Sequence, residues 1–243
     1  MLIEAGVDYL RDIQYPVSGL QGDLWRIPTI GLSFGLSSIA EFQIDGGLNN
    51  RLKIKSRVAA PLSAQLTVTG DSTRDVEDTV VATKIRVLSE TGGRPAFGLR
   101  FATKLPNASN ENGLGLDTTD FFGSLLAAKT IESVRVVGNF GVAILSDPTF
   151  ASRQNDVLTY GLSFARAMTS RAEFVGELNG RASTREGGPL PGTENRGIMK
   201  FGGRYTQGTL RFDGAVFFGL TTVEPSIGFT GGFTYVFDAF KVP

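Results

Sequence analysis

The chain of 243 residues has no cysteine, no histidine and one tryptophan, and its 24 basic and 24 acidic side chains cancel. The missing histidine excludes the hydrolases, deacylases and proteases that use an imidazole as general base or proton relay. Metal sites built on thiolate or imidazole go with it. The absence of cysteine suits an oxidising compartment, where stray thiols are a liability. Balanced charge, with a pI near 6.4, leaves no electrostatic footprint for nucleic acid. There is no run of about 18 apolar residues, and the mean hydropathy is near zero, so a helical membrane bundle is ruled out. A membrane-spanning barrel escapes that test, because only every second residue of its strands need be apolar.

Carboxylate chemistry is limited too. Glu173 and Glu177 share one strand face but lie roughly 13 Å apart, too far for either glycosidase geometry. They are expected to pair with Arg171, Arg181 or Arg204. The acidic run Asp71, Asp75, Glu77 and Asp78 reads as solvated loop charge in preference to a Ca²⁺ site. Gly113-Leu114-Gly115-Leu116-Asp117 lacks the Lys-Ser/Thr of a phosphate loop and reads as a turn. No catalytic residue, cofactor or metal is therefore expected.

What the chain has in quantity is glycine, at 31 residues, and phenylalanine, at 18. The last long segment, 226–239, shows how they are used. Ile227, Phe229, Phe233, Tyr235 and Phe237 alternate with Ser226, Gly228, Thr230, Thr234 and Asp238. A strand sends successive side chains to opposite faces, so one face is greasy and the other small and polar. Segments of this kind recur near 2–12, 24–36, 39–48, 78–89, 94–106, 119–130, 134–145, 156–168, 170–181, 196–206 and 208–220. Tight turns alternate along the series with longer connections at 13–23, 49–77, 107–118, 146–155, 182–195 and 221–225.

That alternation, with both termini on the short-turn side, is the topology of barrels whose short turns face the periplasm and whose longer loops face outward. Residues 1–243 are thus expected to form one all-β domain, a closed antiparallel up-and-down transmembrane barrel of about twelve strands. The number rises to fourteen if two segments within 49–77 enter the wall. The closing strand is expected to pair with residues 2–12.

In the best phase of each strand, Phe42, Ile44, Val81, Ile85, Phe97, Leu99, Phe101, Phe140, Val142, Leu162, Phe164, Phe212 and Phe218 share the apolar side. Gly138, Gly176, Gly214 and Gly231 interrupt it, a surface that lipid tolerates better than a close-packed core does. Tyr9 and Trp25 toward the loops, and Tyr205, Tyr235 and Phe237 toward the turns, form an expected interfacial girdle. Arg26 and Arg166 fall on the apolar phase near strand ends, where they are expected to snorkel to headgroups. The opposite phase supplies the expected pore lining: Glu41, Asp45, Lys84, Arg86, Arg100, Lys104, Arg135, Glu173, Glu177, Arg204 and Arg211. Among these, Lys84, Arg86, Arg100 and Lys104 form an expected basic stripe, facing the acids Glu41 and Asp45 on the neighbouring strand.

Several strings carry a resemblance to a known family. They are Arg94-Pro95-Ala96, Lys104-Leu105-Pro106-Asn107-Ala108-Ser109, Gly113 to Asp117, Thr119-Asp120-Phe121 and Val136-Val137-Gly138-Asn139-Phe140-Gly141-Val142. Over residues 75–238 the chain resembles the bacterial outer-membrane transporters labelled "MetA-pathway of phenol degradation". The front strands join more loosely, through Trp25-Arg26-Ile27-Pro28 and Ala40-Glu41-Phe42. The resemblance implies an outer-membrane barrel passing small compounds, aromatic or hydrophobic ones among them, and it supplies no catalytic residue. Expected partners are outer-membrane lipid, an unidentified small solute and the barrel assembly machinery. Such barrels usually end on an aromatic residue, whereas here Phe240 is followed by Lys241-Val242-Pro243. No leader precedes the first strand, so a removed signal peptide is expected. The alternative reading is a plugged, adhesive barrel acting through loop 49–77.

Overall fold

The computed structural model describes residues 1–238, so the chain end at Phe240 to Pro243 lies outside the described residues. Fourteen strands follow in order: β1 (Leu2–Tyr15), β2 (Leu20–Gly35), β3 (Ala40–Gly47), β4 (Asn50–Arg57), β5 (Ser72–Asp75), β6 (Val80–Leu88), β7 (Ala96–Lys104), β8 (Asp120–Ile131), β9 (Val134–Ser146), β10 (Gln154–Ala167), β11 (Ala172–Ser183), β12 (Arg196–Gln207), β13 (Leu210–Gly219) and β14 (Ile227–Val236). Among the described residues no helix is long and apolar enough to cross a membrane. All pairings are antiparallel. β1 pairs with β2 on one side and with β14 on the other, from Leu2↔Val236 to Arg11↔Ile227, which closes the sheet.

The fourteen segments occupy twelve wall positions. β3 and β4 lie end to end along β2, while β6 pairs with β3 and β5 with β4. Segments from 49–77 therefore do become strands, but they prolong two existing wall strands upward and add none. The expected long connection at 13–23 shrinks to Pro16–Gly19, because β1 and β2 run further than the alternation of their side chains suggested. The free side of β5 is covered by the connection between β7 and β8. There Ser109 N donates to Asp75 at 2.8 Å, and Thr73 Oγ1 donates to the Asn112 carbonyl at 2.8 Å. Covering an edge in this way removes a row of unpaired backbone groups.

The two faces of the wall divide as their chemistry requires. Phe101, Phe121, Leu125, Phe140 and Leu162 stand on the outer face, with Leu125 63% exposed and Phe140 56%. The polar phase is concave, as contacts that jump over a strand show. Arg100 Nε donates to Gln43 Oε1 at 3.0 Å with β6 between them. Arg211 donates to Glu4 at 3.2 Å with β14 between them. On the outer face the Phe164 ring lies over Gly176, where a Cβ would collide with it. Tyr9 and Trp25 meet in a tilted pair with ring centroids 4.9 Å apart toward the loops, and Tyr235 and Phe237 stack at 5.3 Å toward the turns.

Two irregularities in the pairing of β1 with β2 reset the phase of these strands. Asp12, at φ 57°, is the extra residue of a bulge in β1, so Leu10 and Ile13 both point inward. β2 holds an extra residue at Ile27–Pro28, between the pairs Gly6↔Thr29 and Asp8↔Arg26. A one-residue slip sends every later side chain to the other face. Arg26 therefore lies inside the barrel, against the expectation that it snorkels outward. Arg166 is exposed at the turn end of β10.

At the loop end the interior is apolar. Leu10, Ile13, Leu20, Leu24, Leu52 and Phe217 are buried together, and Leu66 and Leu114 from two connections pack onto them. Backbone bonds hold those connections in place, Leu62 N to Val17 O at 2.9 Å and Thr67 N to Glu111 O at 3.1 Å. The middle of 49–77 is thus tethered to the rim and does not form a free external loop. Leu52 has no exposed surface. Leu52→Ala should therefore lower stability by about 2–5 kcal/mol. Denaturant unfolding in detergent, read by the loss of heat-modifiable gel migration, measures it.

Candidate functional site

The lumen is the one place where ionisable side chains from most of the strands converge, and it is layered along the barrel axis. At the turn end a cavity of about 380 Å³ is lined by Glu41, Lys84, Arg86, Leu126, Arg135 and Val137, among others. Lys84 pairs with Glu41 at 2.9 Å, and Arg86 donates to the Ser38 carbonyl at 2.6 Å. Arg135 is held only loosely, 3.9 Å from Glu90, with its side chain 55% exposed. Neighbouring acidic and basic strands pair here because directly opposed residues on one face lie within reach of each other.

Toward the middle, two adjoining cavities of about 250 Å³ each share Asp213 and Thr230. One is bordered by Glu4, Thr29, Asp45 and Thr234, the other by Asp8, Glu177, Lys200, Arg204 and Phe217. Arg100 lies 3.7 Å from Asp45, and Arg211 bonds both Glu4 and, at 3.0 Å, Thr234. Glu177 pairs with Lys200 at 3.9 Å, a different partner from the three arginines expected. Arg181 instead donates to the carbonyls of Gly192 and Glu194, both at 2.9 Å. Glu173 and Arg204 oppose each other in register without an ion pair among the described residues. Arg204 thus borders a cavity between two acids in register, Glu173 and Asp213, without a close ion pair to either among the described residues.

Above this belt the charges are locked. Lys104 sits between Asp78 at 2.8 Å and Asp120 at 3.2 Å, with all three side chains mostly buried. Arg26 bridges Asp8, at 3.1 Å, and Glu77. Arg196 reaches Glu224 at 3.5 Å. The acids between positions 75 and 78 are therefore not solvated charge. Asp78 also accepts from the Asn107 and Ala108 amides, pinning the β7–β8 connection over the rim.

Asp8, Arg26, Glu77, Asp120 and Glu224 belong to this assembly, although none of them was expected in the lumen from the sequence. Asp8 was visible in the polar phase of β1. Arg26 was hidden by the bulge beside Pro28, and Glu77 and Glu224 lie in connections, where period-2 reading is blind. Of the basic stripe, Lys84 and Arg100 face acids and Lys104 is enclosed by them, so the stripe is largely neutralised along its length.

The burial difference between these pairs has a measurable consequence. Lys104→Met leaves Asp78 and Asp120 confronting each other without a cation and should cost about 3–5 kcal/mol. Lys84→Met removes a more exposed pair and should cost less than about 1 kcal/mol. Thermal unfolding of the two variants in the same detergent compares them directly.

No protein-family model matches the chain, and no curated protein sequence does. Solved structures do. An outer-membrane channel from Pseudomonas putida F1 superposes with a TM-score of 0.64 at 11% identity, over 97% of this chain and 95% of that one. The NanC porin superposes with a TM-score of 0.62 at 7% identity, over 97% of this chain and 100% of that one. At such identities the likeness speaks for the fold alone, and the chain folds as an outer-membrane type of β-barrel.

Proposed function

We propose that the protein is a passive channel of the bacterial outer membrane for small solutes, with aromatic or hydrophobic compounds among them. The observation that carries this reading is the lumen itself. Adjoining cavities run among charged and threonine side chains beneath a layer of leucines at the loop end. A solute arriving from the loop side meets this apolar layer first, in which Leu10, Leu20, Leu24, Leu52 and Phe217 are buried against one another and against the loop residues Leu66 and Leu114. Narrow apolar layers oppose the passage of hydrated ions, because water leaves them readily. A neutral or weakly polar molecule does not pay that penalty, and below the leucines it finds hydrogen-bonding groups that compete for its polar end.

The resemblance to the phenol-degradation family supports the same solute class, and one neighbour in fold is itself described as an outer-membrane channel. Glu41, Asp45, Lys84, Arg86, Arg100, Arg135, Glu173, Glu177, Arg204 and Arg211 are the proposed lining, with Arg135 and Arg204 held in no close ion pair. Lys104 serves as the enclosed cation that holds the rim. The reading assigns no bond-making step to any residue and needs no cofactor. Its proposed partners are the solute, the surrounding lipid and the machinery that assembles such barrels.

Two measurements test it. Refolded protein in planar bilayers and in liposomes should show conductance and solute-driven swelling, and the absence of both overturns the reading. Arg204→Glu should shift the cation-to-anion permeability ratio by at least about two-fold toward cations, since one lumenal charge changes sign near the path. Reversal potentials under a salt gradient report that shift.

A further inference from the structure

The outer face of β4 and β5 carries a charge pattern that the channel reading leaves unused. β4 reads Asn50-Arg51-Leu52-Lys53-Ile54-Lys55-Ser56-Arg57. Leu52 points inward with no exposed surface, so Arg51 and Lys53 point outward, as does Lys55, the extra residue where the β2–β4 register shifts, and all three are exposed. Arg74 of β5 is exposed on the same face, because Thr73 beside it is buried.

Register places this patch at a defined height. Tyr9, Trp25, Arg51 and Arg74 are consecutive cross-strand partners in one row over β1, β2, β4 and β5. Directly below, toward the turns, Ile27, Leu48 and Val76 are exposed apolar residues on the lipid side. Directly above, Lys53 stands opposite Asp23, and Lys55 bonds Asp12 at 2.7 Å and Asp23 at 2.6 Å. The arginines therefore lie level with the aromatic pair, where a headgroup region begins.

Arg51 and Arg74 face each other directly, and opposed like charges on one sheet face repel. The lumen contains two comparable pairings, and both are compensated. Lys84 opposite Arg100 is answered by Glu41 and Asp45. Arg181 opposite Arg196 is answered by the carbonyls of Gly192 and Glu194 and by Glu224. Arg51, Lys53 and Arg74 have no ion-pair or hydrogen-bond partner for their side chains among the described residues. Arg57 is occupied by the Val68 and Gly70 carbonyls, Lys55 by its two aspartates, and Arg11 by Asp12 at 3.3 Å. Asp71, just before β5, is an exposed acid nearby.

We propose that Arg51, Arg74 and Lys53 form a binding site for the phosphate of an outer-leaflet lipid headgroup. Trp25 and Tyr9 would flank the sugar or glycerol of that headgroup, and Ile27, Leu48 and Val76 its first acyl carbons. Two guanidinium forks can grip one phosphate by paired hydrogen bonds, which turns a repelling pair into a shared clamp. Basic side chains at this depth also gain from the negative field of an anionic leaflet. The site rests on the barrel lying in a membrane and not on solute passage, so a barrel found closed to solutes would leave it standing.

Trp25 is the only tryptophan, and it neighbours Arg51, so its fluorescence reports directly on the site. Detergent-solubilised protein is titrated with a bis-phosphorylated glycolipid, with the same glycolipid stripped of phosphate, and with inorganic phosphate. The phosphorylated lipid should give a saturable change at a concentration at least about ten-fold below that of the stripped lipid. The double variant Arg51→Gln with Arg74→Gln should lose about that same factor, while keeping its heat-modifiable migration. Equal response to both lipids reduces the patch to an acyl contact and overturns the proposal. Saturation by inorganic phosphate at the same concentration reassigns it to a free anion, and unaltered binding by the double variant removes the clamp. Should that variant not fold, the wild-type contrast between the two lipids decides alone.

Discussion

The structure depends on a single requirement, that every backbone donor and acceptor in the wall find a partner within the wall. In hydrocarbon an unsatisfied group costs several kcal/mol, so an open edge is not tolerated. The seam between β1 and β14 meets that requirement, running from Leu2↔Val236 to Arg11↔Ile227, with Met1 and Phe237 exchanging bonds at its foot. Closure also creates a concave side. Only there can Arg100 reach over β6 to Gln43, or Arg211 over β14 to Glu4. The lumenal ion network is in this sense a product of the seam.

Above the membrane-spanning belt the requirement relaxes, and the architecture changes with it. The bulges at Asp12 and at Ile27–Pro28 turn Ile13, Leu20, Leu24 and Arg26 inward beside Leu10. The loop end thereby gains a small, conventional hydrophobic core inside the barrel. Two connections that would otherwise be free fold onto it through Leu66 and Leu114. Beneath it, Asp8, Arg26 and Glu77, and Lys104 with its two aspartates, are withdrawn from water. There a missing partner costs far more than it would at the rim. The same extension lifts β4 and β5 beyond the aromatic row, so that their outward cations stand at headgroup height.

Much of this was legible from residues alone because a strand has a period of two. The outer set Phe97, Phe101, Phe140, Leu162 and Phe212, the inward Glu41, Lys84, Arg100 and Glu177, and the union of the last strand with the first all follow from that period and from the turn residues. What stayed hidden shares one cause. Period-2 reasoning carries phase forward until something interrupts it, and a single extra residue at Ile27–Pro28 is not announced by hydropathy. Arg26 was placed outside for that reason. Glu77, Asp78 and Glu224 were hidden differently: they lie in connections, where no period exists and where function is set by what the chain folds back upon.

The sequence by itself determined the class of fold and the sorting of side chains into two faces, since both are local consequences of alternation and turn chemistry. Only the tertiary structure decided which charges meet. Lys200 is the partner of Glu177, and Arg100 reaches Gln43 across an intervening strand, because register and curvature bring together residues far apart in the chain. It also decided that β4 and β5 prolong the wall instead of widening it. A strand's neighbours are chosen by backbone hydrogen bonds along its whole length, and β2 was long enough to hold both halves of a broken one.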